Sequence, residues 1–252
     1  MTDFQHESGK AAVRAGGGAD RDGRPDGSTV QPASDRVRLR RKRERGRYDR
    51  ATIDAILDEA LLSHLGIAEA DGQPLVLPML HARRGDVVYL HGSAGGRALR
   101  ALRCGAPACL TVSLLDGLVL ARAAMHHSAN YRSVVLLGRA RAVDDLDEKR
   151  LACREIVEHV VPGRWEDVRP PSENELKATA IVAMPIDQAS AKIRSGPPLD
   201  DEADRDLPAW AGVIPLGMRA GTPDPDPALA VGVPVPAYAR DYRRGASRWP
   251  RT

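Results

Sequence analysis

The residues best placed to do chemistry lie in the stretch VVYLHGSAGGRALRAL, from Val87 to Leu102. The apolar run Val87-Val88-Tyr89-Leu90 stops at His91. Gly92-Ser93-Ala94-Gly95-Gly96-Arg97 follows, and Ala98, Leu99 and Leu102 then recur at helical spacing. A strand that passes through a small-residue turn into a helix start suits an anion, because glycines let the backbone come close and the first helical N–H groups lack intrahelical partners. Ser93 adds a hydroxyl and Arg97 a forked cation, so the turn is a candidate clamp for a cofactor phosphate. The spacing Gly92-x-x-Gly95-Gly96 is neither GxGxxG nor GxxxxGK(S/T), and no βαβ repeat surrounds it, which argues against a Rossmann or nucleotide-hydrolase assignment.

The other reactive side chains give weaker signals. His91, at a strand end beside the turn, is either a ligand-lining residue or a hydrogen-bonded structural one. His126-His127 are adjacent on an extended segment, so their side chains diverge, and no second pair has ligand spacing; no metal site is expected. Cys104, Cys109 and Cys153 form neither a disulfide framework nor a CxxC pair and read as reduced thiols, the first two in the core. His64 reads as part of the first strand's packing, and Trp210 as a hydrophobic anchor. Arg132 and Ser133 are neighbours on a strand, so alternation sends them to opposite faces.

The elements that must hold these residues are legible from turns and periodicity. Residues 1–45 read as a disordered basic N-terminal arm: nine cations lie between Arg36 and Arg50 (Arg36, Arg38, Arg40, Arg41, Lys42, Arg43, Arg45, Arg47 and Arg50) against Glu44 and Asp49. No aromatic interleaving or reading helix accompanies them, which argues against nucleic acid. Asp49 can cap a helix with Ile53, Ile56, Leu57, Ala60 and Leu61 on one face. Short strands follow: His64–Glu69, Pro74–Ala82 after the turn Asp71-Gly72, Asp86–His91 after Arg84-Gly85, and Ala108–Leu115. Asp116-Gly117 then reads as a turn into Leu118–Ala124, Asn130–Val143 as the longest strand, and residues 145–160 as a helix. Residues 180–194 read as one further strand. Hairpins this tight force antiparallel neighbours, and the fold class is mainly β (α+β), a small closed barrel over residues 46–195. Residues 196–252 form a Pro-rich extension expected to dock on the barrel or on a partner, with a frayed Arg-rich end. The polar start and the lack of a long apolar run read as a soluble, cytoplasmic protein without membrane contact.

The order helix, hairpin, YLHGSAGGR and HHSANYRSVVLLGRA resembles the pyridoxamine 5′-phosphate oxidase-like flavin-binding split barrels, and is most similar to the subgroup that includes nitroimidazole-resistance proteins. Three pieces carry the resemblance: Leu75-Val76-Leu77-Pro78-Met79, His91-Gly92-Ser93-x-x-x-Arg97, and Asn130-Tyr131-Arg132-Ser133-Val134. It covers roughly residues 45–194, and Trp210–Leu216 is similar to that subgroup's C-terminal segment. The resemblance implies a six-stranded Greek-key split barrel forming a homodimer, with flavin mononucleotide (FMN) at the interface. Ser93 and Arg97 would bind its phosphate, with backbone groups from Gly92 on. Val76, Leu77, Pro78 and Met79 would run under the isoalloxazine ring, and Arg132 and Ser133 would reach the flavin from the other subunit. His91 would be the candidate catalytic residue. The implied function is a flavin-dependent oxidoreductase passing electrons from NAD(P)H to a small electrophilic acceptor. The alternatives are a non-catalytic flavin- or haem-binding protein for storage or sensing, and a deazaflavin-using relative. The signature of vitamin B6 oxidation is not recognisable, which puts that activity in doubt.

Overall fold

Two glycine turns set the architecture. Gly72 (φ 86°) and Gly85 (φ 54°) adopt the left-handed conformation that tight hairpins require. They join β2 (Leu62–Ala68), β3 (Pro74–Arg84) and β4 (Val87–Ser93) into a meander, preceded by β1 (Gly46–Arg47) and α1 (Arg50–Glu59). This is a computed structural model, and it describes residues 30–243. After β4 come α2 (Arg97–Arg103), β5 (Pro107–Leu120), β6 (Ser128–Arg139), β7 (Arg141–Ala142), α3 (Leu146–Val160) and α4 (Glu173–Ala178). The chain continues through β8 (Thr179–Pro185), β9 (Ala189–Arg194), β10 (Gly212–Pro215) and α5 (Ala237–Arg240). The ten strands are ordered β1-β9-β6-β5-β2-β3-β4-β8-β7, with β10 beside β5. Every pairing is antiparallel. This is a split barrel of the expected class, with ten strands among the described residues rather than six: seven longer strands, the short β1 and β7 at the two ends, and the short β10 beside β5.

The core follows from alternation. Val88 and Leu90 of β4, with Ala180, Val182 and Met184 of β8, face the main core, where Ile53, Ile56 and Leu57 of α1 close one end. Tyr89, Ile181 and Ala183 face the opposite way, onto Ala152 and Ile156 of α3. Strands covered on both faces read as continuous apolar runs, which is why the two expected strands at these positions lacked polar alternation. Asp49 caps α1 by accepting the Thr52 N–H (2.8 Å), and Asp145 caps α3 by accepting from Glu148 (2.8 Å). The Lys149 ammonium is buried and donates to the carbonyls of Leu176 (2.9 Å) and Thr179 (3.0 Å), tying α3 to the end of α4.

Several expectations need correction. Asp116-Gly117 is not a turn: β5 runs through it with a bulge between Leu115 and Gly117. Asp116 is held there by Arg132. A Cβ on Gly117 would lie 3.0 Å from the Ile214 carbonyl, so the glycine admits β10 rather than reversing the chain. Residues 180–194 form two strands, β8 and β9, broken at residues 186–188, and α4 was not foreseen. Cys104 is exposed rather than buried. His64 points outward instead of packing. The described part of the N-terminal arm is seated on the barrel: Val37 is buried, the Tyr48 hydroxyl accepts the Leu39 N–H (2.9 Å), and Ser34 bonds Gln188. Residues 1–29 and the Arg-rich end, residues 244–252, lie outside the described residues.

Arg132 is the most heavily bonded buried charge. Its guanidinium, 5% exposed, is shared between Glu59 of α1 and Asp116 of β5, with bonds of 2.8 Å to Glu59 and 2.9 and 2.7 Å to Asp116. Burial pulls its pKa down, but the hydrogen bonds and charges of the two carboxylates outweigh this and raise it. Removing one member of such a group strands the others. Arg132→Ala should therefore lower unfolding stability by about 3–5 kcal/mol in urea titration. A loss below about 1 kcal/mol would mean that solvent carries these carboxylates.

Candidate functional site

The barrel is open along one seam. The β2–β3 ladder extends from Leu62–Leu80 out to Ala68–Pro74, whereas the β3–β4 ladder stops at His81–Leu90. Beyond that point β4 pairs only with β8, out to Ser93–Thr179. The first half of β3 thus has no strand on its second edge among the described residues. The Glu69 N–H donates to Gln73 O (2.9 Å), and hydrogen-bonded pairs alternate from there. Leu75, Leu77 and Met79 turn their backbone groups toward β2, consistent with the Ser63 hydroxyl donating to Met79 O (2.9 Å). Val76, Pro78 and Leu80 turn theirs toward the seam. Leu75, Leu77 and Met79 pack against the core and give the seam an apolar lining.

The far wall is the turn foreseen from the sequence. Gly96 N–H donates to Ser93 O (2.9 Å), Gly95 N–H to Ser93 Oγ (3.3 Å), and α2 begins at Arg97. None of the turn glycines has positive φ. Their role is steric: a Cβ on Gly92 would sit 3.4 Å from Leu99 and one on Gly96 3.1 Å from Ser93 O, so glycine lets α2 fold tightly onto β4. Arg97 reaches across the mouth of the seam to Glu69 (2.9 Å), with its side chain 69% exposed. Val76, Leu77, Pro78 and Met79 thus lie along the seam, and the turn of Gly92, Ser93 and Arg97 is tied to its mouth through the Arg97–Glu69 pair.

His91 lies beside this wall, opposite Ile181 and on the same side of β4 as Tyr89. It is half-buried, its Nδ1 is enclosed with no hydrogen-bond partner, and burial lowers its pKa. Burial thus favours the neutral imidazole and leaves one ring nitrogen unsatisfied.

Arg132 and Ser133 are not in this cleft. They sit on β6, three strands from β3 through β2 and β5, roughly 14 Å away at sheet spacing. They face opposite sides as alternation requires: Arg132 inward to its carboxylates, Ser133 outward with its hydroxyl donating to Lys192 O (3.3 Å). One grouping escaped sequence spacing altogether. His126 lies with Asp201 and Asp204 of the C-terminal extension, their possible ligand atoms all within 4.8 Å of one another. His126 Nε2 is 3.7 Å from Asp201 Oδ2, an ion pair when the ring is protonated. Only the docking of the extension brings these residues together, and the same docking buries Asp200 against Arg122 (2.8 Å).

An antiparallel barrel split beside one strand, with an apolar floor and a serine–arginine turn at its mouth, defines the split-barrel class of fold. A family model described as pyridoxamine 5′-phosphate oxidase matches residues 49–193. The chain belongs to this family. Among solved structures it is similar to the flavocytochrome Anf3 from Azotobacter vinelandii, at 45% identity over 86% of this chain and 100% of that one, TM-score 0.81. It is also similar to the FAD and heme binding protein from Mycobacterium smegmatis, at 36% identity over 78% of this chain and 96% of that one, TM-score 0.75. A 5-nitroimidazole antibiotic resistance protein from Bacteroides thetaiotaomicron shares 26% identity over 59% of this chain and 86% of that one, TM-score 0.50. No curated protein sequence matches. No helix among the described residues is long and apolar enough to cross a membrane.

The state of His91 can be measured. Its folded pKa is lowered from 6.5, so the unfolded chain binds the proton more readily. The ring's contribution to stability is present above about pH 6.5 and is lost as pH falls toward the folded value. Wild type should lose more stability between pH 7.5 and pH 5.5 than His91→Gln does in parallel urea titrations. Identical pH dependence of the two proteins would show that the ring is not held neutral.

Proposed function

We propose that this protein is a redox protein holding a flavin in the β3 seam and a haem at His91, a flavocytochrome assembled as a homodimer. The observation that carries the reading is the 45% identity to a flavocytochrome over that protein's whole length. A flavin supplies one- and two-electron chemistry and a haem one-electron chemistry when bound.

The chain's own groups fit both cofactors. The seam is lined by half-buried Leu75, Leu77 and Met79, while Val76 and Leu80 offer N–H and C=O groups and Pro78 a C=O; a flat ring with a polar edge needs both features. Arg97 and Ser93 stand at the mouth for a phosphate. The Glu69–Arg97 pair is solvent-exposed and worth about 0–1 kcal/mol, so a phosphate can displace Glu69 at little cost. A dinucleotide is favoured over FMN by the similarity to the FAD and heme binding protein, at 36% identity. For the haem, the enclosed, unpartnered nitrogen of His91 and the burial that keeps its ring neutral suit an axial ligand, since iron takes the unprotonated nitrogen. Transfer of electrons from NAD(P)H to a small electrophilic acceptor is the reaction that this cofactor pair would serve.

The homodimer rests on the outer sheet face. Val76, Leu80, Leu62, Leu115, Leu118 and Ile214 are all exposed, on strands β3, β2, β5 and β10. Register sets Leu80 beside Leu62 and Leu118 beside Ile214. Exposed apolar pairs of this kind suit an interface. A second copy seated there could bring its Ser133 toward the seam, which the β6 of the same chain cannot do.

Purified protein should show a haem Soret band together with flavin absorption, and His91→Ala should lose haem while retaining flavin. A colourless protein that takes up neither group would sink the proposal, and retention of haem in the variant would move the ligand elsewhere. In sedimentation the wild type should be a dimer, and Val76→Glu with Leu115→Glu a monomer. A monomeric wild type would overturn the dimer.

A further inference from the structure

The cation-rich lead-in is the sequence feature that neither the seam nor His91 uses. It is a fixed ridge. Buried Val37 and the Leu39–Tyr48 bond anchor one end, and β1 on β9 anchors the other. Between them Lys42 adopts a left-handed conformation (φ 53°, ψ 53°), the single non-glycine residue with positive φ among those described. A lysine in this region is strained, and the sharp turn fans the neighbouring side chains into solvent. Arg36, Arg38, Arg40, Arg41, Lys42 and Arg43 are all exposed. Of these only Arg38 has a carboxylate partner among the described residues, Asp35 at 2.9 Å. The preceding segment does not neutralise the ridge by composition, since Asp3, Glu7, Asp20, Asp22 and Asp26 are nearly balanced by Lys10, Arg14, Arg21 and Arg24.

We propose that the Arg36–Arg43 ridge is the docking surface for a small acidic electron-carrier protein, a reading that rests on the redox function above. The ridge has no exposed aromatic to stack on bases and only a three-residue helical turn, Arg43–Arg45, to enter a groove, which disfavours nucleic acid. Its two large apolar residues, Val37 and Leu39, are buried and half-buried, so nothing is left to insert into a lipid surface. Unpaired, desolvation-cheap cations on a rigid ridge suit a transient, charge-steered encounter with an acidic protein. The step transfers one electron, the carrier standing in for NAD(P)H as donor: its reduced cluster is oxidised, the flavin or haem iron is reduced, and no bond forms or breaks.

The probe is a strongly acidic [2Fe–2S] ferredoxin, with two readouts on the purified holoprotein. Binding of the oxidised ferredoxin is followed by surface plasmon resonance, and electron transfer from the reduced form by stopped-flow absorbance. Arg40→Glu, Arg41→Glu and Arg43→Glu together should weaken binding and slow transfer at least about tenfold at low ionic strength, with both effects shrinking as salt rises. Binding and transfer that ignore both the substitutions and the salt overturn the proposal. So does ridge-dependent binding at physiological salt to a DNA duplex or to anionic phospholipid vesicles in the absence of ferredoxin binding. Ridge-dependent ferredoxin binding by a protein that carries neither flavin nor haem would instead uphold the surface and refute the redox reading.

Discussion

A strand can be paired on both edges or it can present one of them to a ligand, and the first half of β3 does the second. The β3–β4 ladder ends at His81–Leu90. Pro78 is one sequence-level reason: it has no N–H to give to a strand on that side. The packing of α2 is another, because Gly92 lets Leu99 close over the end of β4 and the chain is drawn toward β8. The exposed backbone edge, the apolar floor beneath it and the placement of Ser93 and Arg97 opposite all follow from this divergence.

The triad of Arg132, Glu59 and Asp116 holds the other side of the barrel to the same standard. It joins α1, β5 and β6 through charges that are costly to leave unpaired. By fixing Asp116 it also fixes the bulge at Leu115–Gly117, and the side-chain-free Gly117 lets β10 lie close to β5. The C-terminal extension is seated by this route. Its far end is tied by Tyr238 to Arg164 (2.7 Å) and by Tyr242 to the Val160 carbonyl (2.7 Å). An arginine that the resemblance assigned to cofactor binding is thus committed within its own chain to holding the scaffold.

What was legible in the sequence was local. The hairpin turns at Gly72 and Gly85, the cap at Asp49, the β4–turn–α2 sequence and the opposite facing of Arg132 and Ser133 depend on neighbours in the chain, and the structure has them. What was not legible depended on pairing across the chain. Asp116-Gly117 has the composition of a turn, and only the Arg132 bridge and the approach of Ile214 make it a bulge. Cys104 follows an apolar stretch yet caps α2 at the surface. The meeting of His126 with Asp201 and Asp204 needs the extension to fold back. The seam itself was anticipated only as strand residues under a ring; that Val76, Pro78 and Leu80 rather than Leu77 and Met79 turn their backbone toward it required the register.

Amide hydrogen exchange across β3, compared between flavin-free and flavin-loaded protein, tests the seam most directly. Val76 and Leu80 carry the amides that face it, whereas those of Leu75, Leu77 and Met79 are bonded to β2. Flavin should slow exchange in the segment spanning residues 74–80 and at the turn from Gly92 to Arg97, leaving β6 around Val134 and Val135 unchanged within a subunit's own ladder. Flavin loading that leaves residues 74–80 unprotected would contradict it.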